Sequence, residues 1–439
     1  MERSELIKLS MGSIGMTLSY NVLTMNLQDY FRKTAFSGSP DPWLLAYLVF
    51  TIAFGAGALT FLFAGWLSDR TYTRWGKRRP YFLFAIPGAI ALFLLGFNYV
   101  PLPVASAFIL LSCLAMVYTI TYRLMYTSYF ALYQDLTKPE DRVKATITFN
   151  LFGLVGIVVA IVIPLAENSN TNYIFVTLIC GVVYIATVIF ALVFGPREKL
   201  EEIQKERAQK IENPSILSSI HETFKDKTFK NYAFSSFFAA FSYSMVMFIL
   251  KPFLEWKTEL RPNPIPIPFF ILLGSLLPVA LLIFYFCSYG AKRWGKRTFF
   301  GRTLMVGFLT FPILIFLSNQ GSDISLIIQL YIVSIAILFV IVTVLSLQNA
   351  ILMDITPKGK EATYSGVFFF VTVLPFPLSA TLAGVFLSVF DYDVAGFWRG
   401  VPTEGGDFAY GLIALIMAIS LFISWLFLRR VKYEEVKER

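Results

Sequence analysis

Long runs of mostly apolar residues alternate with short polar clusters along the whole chain. The runs are too long for buried strands and too uniformly apolar for ordinary core helices. A helix rising 1.5 Å per residue needs about 20 such residues to cross the hydrocarbon of a bilayer. On that length the pattern predicts twelve membrane-spanning helices, over 9–31, 43–67, 81–99, 105–133, 145–166, 173–195, 231–254, 268–288, 299–318, 325–350, 364–389 and 408–428. The expected fold class is an all-α integral membrane protein.

An even number of spans returns the chain to the side on which it starts. Of the 37 Lys and Arg residues, 29 fall on the side that carries the two ends and 6 on the other, with Arg123 and Arg302 inside spans. Short basic loops stay in the cytoplasm. Both termini are therefore expected there, in a multi-pass protein of the cell membrane. With 56% hydrophobic and 15% charged residues, the 439-residue chain departs from the roughly 45–50% and 25% of soluble proteins. The net charge of +9 does not point to a nucleic-acid partner, because the cations flank the membrane. Cys113, Cys180 and Cys287 lie inside apolar runs and make no disulfide framework. The opening MERSELIKLS is polar, so no secretory signal is expected.

Arg74-Trp75-Gly76-Lys77-Arg78 recurs 219 residues later as Arg293-Trp294-Gly295-Lys296-Arg297. Asp135-Leu136-Thr137 recurs as Asp354-Ile355-Thr356 at the same offset of 219 residues. Two matches at one offset, half the chain, predict a duplicated six-span unit. The expected organisation is an N-terminal six-helix bundle over 1–195, a cytoplasmic linker over 196–230 and a C-terminal six-helix bundle over 231–439. Parallel repeats of this kind build carriers that rock about a site between the halves. The linker opens with a charge run, read as solvated. It then spaces Ile216, Leu217, Ile220 and Phe224 along one face of an amphipathic helix.

The loop after the second span reads GWLSDRTYTRWGKRRPY from Gly65 to Tyr81. Asp69 is followed there by Arg70, Arg74, Lys77, Arg78 and Arg79. Charges of both signs at a helix end suit ion pairs that break and re-form as the halves rock. Asp69, Arg70, Arg74 and Arg78 are therefore expected to gate the cytoplasmic side. They act with Asp135 and Arg142 after the fourth span and Asp354 after the tenth.

This pattern resembles the motif between the second and third helices of the major facilitator superfamily. Its elongated form, S-D-R followed by R-W-G-K-R-R-P, is similar to that of the glycoside–pentoside–hexuronide cation symporters and the related sucrose transporters. Ala131-Leu132-Tyr133-Gln134-Asp135-Leu136-Thr137, with Arg142 beyond, resembles the junction of the fourth and fifth helices of sucrose transporters. The resemblance implies the major facilitator fold and a sugar- or glycoside-like solute carried with a cation. It does not carry over a sodium site. The second-span positions at which melibiose-type symporters hold paired aspartates are Gly57 and Phe61 here. Their first-span sugar-binding aspartate falls near Ser19, and the fourth-span aspartate of sucrose transporters near Thr119. Coupling to a proton is expected, with an uncoupled facilitator as the alternative.

Arg123 lies ten residues before the inner end of its span, about 15 Å deep. A cation there costs several kcal/mol unless it faces a cavity or a partner. Its planar fork suits paired hydroxyls or a carboxylate. Sugar sites combine aromatic faces with amides and charges. Tyr20 and Asn21 of span one, Tyr122 and Tyr126 of span four, Tyr243 of span seven, and Gln348 and Asn349 of span ten therefore join Arg123 as candidate solute-binding residues. In the resembled fold these four spans line the central cavity. Each residue is equally well read as polar glue between helices. Asp29, near the outer end of span one and followed by Arg32 and Lys33, is the candidate coupling carboxylate or an interfacial salt bridge.

A membrane enzyme is disfavoured. The one histidine, His221, lies in the linker, and no nucleophile–base or metal-ligand constellation is visible, so no cofactor is expected. The reading is a secondary transporter, working as a monomer in the lipid bilayer on a sugar-like solute. A carrier or exporter of another organic solute is the alternative, either drug-like or a carboxylate drawn to Arg123.

Overall fold

In the computed structural model, residues 3–71, 73–97, 99, 102–137, 142–165, 173–198, 216–259, 268–316, 323–357, 361–390 and 404–432 are described. The first half comprises α1 (Arg3–Ser10), α2 (Gly12–Asn21), α3 (Gln28–Lys33), α4 (Pro42–Arg70), α5 (Ala85–Leu95), α6 (Val104–Leu136), α7 (Arg142–Leu165) and α8 (Tyr173–Phe194). Then come α9 (Ile216–Lys225), α10 (Lys227–Glu259), α11 (Pro268–Trp294), α12 (Lys296–Thr310), α13 (Asp323–Ile355), α14 (Glu361–Val373), α15 (Pro375–Phe390) and α16 (Glu404–Leu428). Each of the twelve expected spans carries helix. Among the described residues, seven helices are long and apolar enough to cross a membrane, with shorter apolar helices over Arg79–Leu95 and Ala145–Ala160. Ile109, Phe175, Ile179, Leu282 and Leu309 stand more than half exposed on the outside, as hydrocarbon surroundings favour.

The spans are less regular than the apolar pattern implies. Between α2 and α3 the turns widen into a buried π-helix over Val22–Leu27. Thr17, Asn21 and Thr24 around it return their side chains to carbonyls four residues back, at 2.7, 2.7 and 3.1 Å. Such bonds compete with the regular ladder. Span eleven breaks at Leu374, because Pro375 brings no N–H and opens α15 instead.

The repeat is visible in the backbone. α6 and α13 begin and end 219 residues apart, and α7 and α14 begin at that offset. Gly76 and Gly295, equivalent by the same offset, are the glycines with positive φ, at 109° and 83°. α2 packs on α7 and α8, and α5 lies between α6 and α8. In the second half α10 packs on α15 and α16, and α12 joins α13 to α16. The halves meet where α4 crosses α14 and α15, and where α7 touches α11 and α13. α9, the expected amphipathic helix, docks on α10, α14 and the end of α4, with Phe224 against Phe229.

Gly156 of α7 lets α2 approach closely, since a Cβ there would lie 2.7 Å from the backbone nitrogen of Leu18. Backbone cannot step aside as a side chain can. Gly156→Ala is expected to destabilise the protein by roughly 1–3 kcal/mol, the usual cost of overpacking. The readout is a lower thermal midpoint in detergent. Gly38→Ala, with nothing within 4 Å of the new Cβ, should leave that midpoint unchanged.

Candidate solute site and inner turns

Tyr118, Tyr122, Tyr126 and Phe130 recur every fourth residue and so share one face of α6. Their rings stack along it with successive centroids 5.7, 5.8 and 6.2 Å apart. Tyr20 of α2 lies against Tyr122 at 5.4 Å. Arg123 extends beside this ladder, with its guanidinium carbon 5.0 Å from the ring centroids of Tyr20 and Phe61 and 5.3 Å from that of Tyr122. Its Nη2 donates to Tyr20 Oη at 3.1 Å, while its Nε is buried with no partner. Among the described residues no carboxylate pairs with it. Gly57 lets α4 approach α6 closely beside Arg123, since a Cβ there would overlap the Thr119 methyl group while meeting Arg123 Cγ at an ordinary contact of 3.5 Å. Desolvated cation–π contacts contribute about 2 kcal/mol each. Three of them and one hydrogen bond offset much of the cost of burying the charge, but leave the buried Nε–H unused.

Tyr243 of α10 brings the second half to the same charge, close enough to interact electrostatically with Arg123 and Tyr20. Its ring lies 5.3 Å from Phe376, which lies 6.1 Å from Tyr20. Tyr20, Tyr126 and Tyr243 are only half-buried at this depth, whereas Tyr118 and Tyr122 are buried, so accessible space borders those three rings. Aromatic layers from both halves close over the cluster. On the side away from the basic loops, Phe54 meets Phe376 at 5.8 Å and Phe248 at 6.0 Å. On the basic-loop side, Phe369 meets Phe61 at 5.4 Å and Phe130 at 5.5 Å.

Arg123, Tyr20, Tyr122, Tyr126 and Tyr243 are thus brought together. Asn21, Gln348 and Asn349 are not joined to them by any hydrogen bond or ring contact among the described residues. Asn21 Nδ2 turns to its own helix, at Thr17 O. Gln348 is buried with Nε2 unpartnered, and its backbone carbonyl accepts from Tyr232 Oη at 2.6 Å. Asn349 is half-buried. Phe61, Phe54, Phe369 and Phe376 belong to the cluster although composition marks them only as apolar. Phe61 carried a signal, one turn beyond Gly57 on α4. Asp29, buried at the far end of span one, is held by Arg32 and Lys33 at 2.7 Å each, and Arg32 stacks over Trp43.

At the other end, the loop after α4 folds back through paired bonds between Thr73 and Gly76. Arg78 is buried there. Its Nε donates to Asp135 at 3.2 Å and its Nη1 to Ser68 Oγ at 2.7 Å, joining the ends of α4 and α6. Its backbone N–H donates to Glu198 Oε2 at 3.2 Å. Burial pushes the Glu198 carboxyl above the usual carboxylate range, and the Arg78 N–H and guanidinium pull it back. Glu198 lay unnoticed in a charge run, although it follows span six directly. A Cβ on Gly76 would collide with it. In the second half Lys296, not the Arg297 equivalent to Arg78, takes the acid, with Nζ 2.9 Å from Asp354 Oδ2. Neither pair crosses between the halves. Arg74 stands at the exposed tip of its turn, and the side chains of Asp69, Arg70 and Arg142 lie outside the described residues.

The chain matches the family of MFS/sugar transport proteins over residues 9–435. It belongs to that family. This MFS/sugar transport protein is 25% identical over 329 residues to an isoprimeverose transporter of Lactiplantibacillus pentosus, covering 70% of this chain and 62% of that protein. The chain thus spans less than two thirds of the length of that relative. Solved structures share the fold at lower identity. A bacterial homolog of the human lysosomal transporter Spinster, inward-facing and occupied, aligns with TM-score 0.65 at 14% identity, over 97% of this chain and 96% of that one. The proton:xylose symporter XylE bound to 6-bromo-6-deoxy-D-glucose aligns with TM-score 0.63 at 13% identity, over 100% and 98%. Membership makes the chain a multi-pass membrane protein of the major facilitator fold.

The two acid–base pairs differ in burial. Lys296 and Asp354 are each 8% exposed, whereas Asp135 is 44% exposed. Breaking a buried pair strands a charge, so Asp354→Asn should cost about 3–5 kcal/mol. Asp135→Asn should cost less than that, because Asp135 is partly solvated and the buried Arg78 keeps Ser68 and the nearby Glu198 carboxylate. Thermal unfolding of the two variants in one detergent checks the order.

Proposed function

We propose that this protein is a secondary transporter of a sugar- or glycoside-like solute, working by alternating access between an N-terminal bundle over 1–195 and a C-terminal bundle over 231–439. The observation that carries the reading is the Arg123 cluster. A guanidinium with an unused donor stands at mid-membrane, ringed by tyrosines from both halves. Tyrosine faces stack on pyranose rings, and the guanidinium fork binds paired hydroxyls. The isoprimeverose transporter supports a sugar as the solute class. The inner turns stiffen each half by tying α4 to α6 and the start of α12 to α13, so that each half rocks as one body, and Asp69, Arg70, Arg74 and Arg142 complete that gate. Asp29 is the candidate proton site. Arg32 and Lys33 favour its charged form, so protonation requires that they move away as the halves rock. A second reading, a carboxylate-bearing solute, is favoured by the lack of any carboxylate beside Arg123 among the described residues.

Uptake by proteoliposomes, with and without an imposed pH gradient, tests the reading on a panel of neutral glycosides and their uronic acids. Arg123→Ala should abolish solute binding and uptake while the protein still purifies as a monodisperse species. Arg123→Lys should lose at least about tenfold in affinity, because an ammonium cannot reproduce the planar fork. Wild-type binding affinity retained in either variant would refute the assignment.

Sodium should not stimulate uptake. Gly57 and Phe61, where the resembled symporters carry aspartates, flank the Arg123 guanidinium. A fixed positive charge there repels a cation, and among the described residues no carboxylate pairs with Arg123 to offset it. Equal uptake rates in sodium and potassium buffers are expected, and a saturable sodium dependence would contradict this.

A further inference from the structure

A groove opens on the outer face of the second half, at its basic-loop end, between the start of α12 and the end of α16. Its volume is about 580 Å3, and Arg297, Thr298, Arg302, Leu309, Trp425 and Arg429 are among its walls. The geometry points to a resident anionic phospholipid. Its phosphate is held by Arg302, Arg429 and the first turn of α12, and one acyl chain lies along Val306 and Leu309.

The polar end is built for phosphate. Arg302 and Arg429 are exposed, and their guanidinium carbons rest 5.0 Å over Trp294 and 4.8 Å over Trp425. Aromatic faces orient both forks without neutralising them. Among the described residues, no carboxylate forms an ion pair with Arg302 or Arg429. Arg297 plays a different part. Its Nε and Nη2 donate to the carbonyls of Leu428 and Arg429 at 3.3 and 2.9 Å, closing the end of α16 and fixing one wall. No side chain caps α12, so the N–H groups of its first turn remain for an anion, which the helix dipole also favours. Arginine forks bind phosphate oxygens in pairs.

The other end is built for hydrocarbon. Gly301 forms the floor, where a Cβ would lie 3.4 Å from Leu428 Cδ2 and 3.6 Å from Trp425 Cδ1. Val306 and Leu309, 40% and 63% exposed, continue the wall toward the bilayer centre. A free phosphate has no use for that half of the groove. Basic pockets between spans on the cytoplasmic side suit acidic headgroups, whereas a phosphocholine brings its own cation among three arginines. The duplicated fold does not require such a site. The position equivalent to Arg302 in the first half is Leu83, itself 41% exposed.

The test uses the full chain, delipidated in detergent, with thermal midpoints read after adding phosphatidylglycerol, phosphatidylcholine or inorganic phosphate. Phosphatidylglycerol should raise the midpoint well above phosphatidylcholine, and phosphate should not. Arg302→Gln with Arg429→Gln should erase the difference between the lipids while keeping the midpoint in phosphatidylcholine. Gly301→Leu, which fills the floor without touching the charge, should also erase it. Equal midpoints in the two lipids, or a phosphatidylglycerol shift that survives the double substitution, would overturn the proposal. A shift produced by inorganic phosphate alone would overturn the lipid assignment.

Discussion

Hydrocarbon offers no hydrogen bonds, so every polar group taken into the membrane must find its partner within the protein. The helices meet that demand for the backbone. Buried hydroxyls meet it locally: Thr121 and Thr177 donate to carbonyls four residues back, at 2.7 and 2.9 Å. A few buried polar atoms of the described residues stay unpartnered, among them Gln28 Oε1, Tyr184 Oη and Gln348 Nε2, and Arg123 is the charged side chain in that group. Its charge is shared among three rings and one phenol, and its Nε has nothing to bind. An apolar side chain there would bring no charge to bury and no donor to leave unpaired. The arrangement makes sense as a site whose last partner arrives from outside.

The duplicated turns show how one motif can be spent in two ways. Both halves place a glycine with positive φ at the same point, and both send a cation to the acid at the end of the fourth span of the half. The cation differs by one position, Arg78 in the first half and Lys296 in the second. That shift has a structural consequence. Arg78 is committed to Asp135 and Ser68, whereas Arg297 is released to bind the carbonyls ending α16. The second half thereby gains a wall that the first half lacks, and the groove beside Arg302 follows from it.

The spans, their duplication, the basic turns and the docked helix α9 were legible because each rests on a period or a motif within a short stretch of chain. Helix rotation was not. Tyr122 and Tyr126 share a face with Tyr118 by spacing alone, and the rings do stack. Asn21 and Gln348 were grouped with them by chemistry. Yet Asn21 spends its amide on its own helix, and Gln348 packs near Tyr232. Which way a polar side chain turns depends on neighbours far away in sequence. Phe61 was missed for the same reason, since its partner Arg123 lies on another helix. Glu198 was hidden by its neighbours in sequence, a run of charges in which nothing marks the one that reaches back to the Arg78 turn.

The two layers over Arg123 are not equally strong. On the side away from the basic loops, Tyr47 Oη and Gln28 Nε2 both donate to Phe248 O, at 2.7 and 3.2 Å, and Thr51 meets Thr381 at 2.9 Å. On the basic-loop side, the described contacts between halves include rings around Phe369 and a bond from Asn150 Nδ2 to Leu345 O at 3.3 Å. A buried hydrogen bond contributes about 1 kcal/mol net, and much more is lost if it opens into hydrocarbon. Ring contacts contribute about 0.5–1.5 kcal/mol, tolerate sliding and leave no orphaned donor when they part. Contact for contact, the ring layer around Phe369 therefore parts at lower cost than the hydrogen bonds that join Tyr47, Gln28 and Thr51 to the second half.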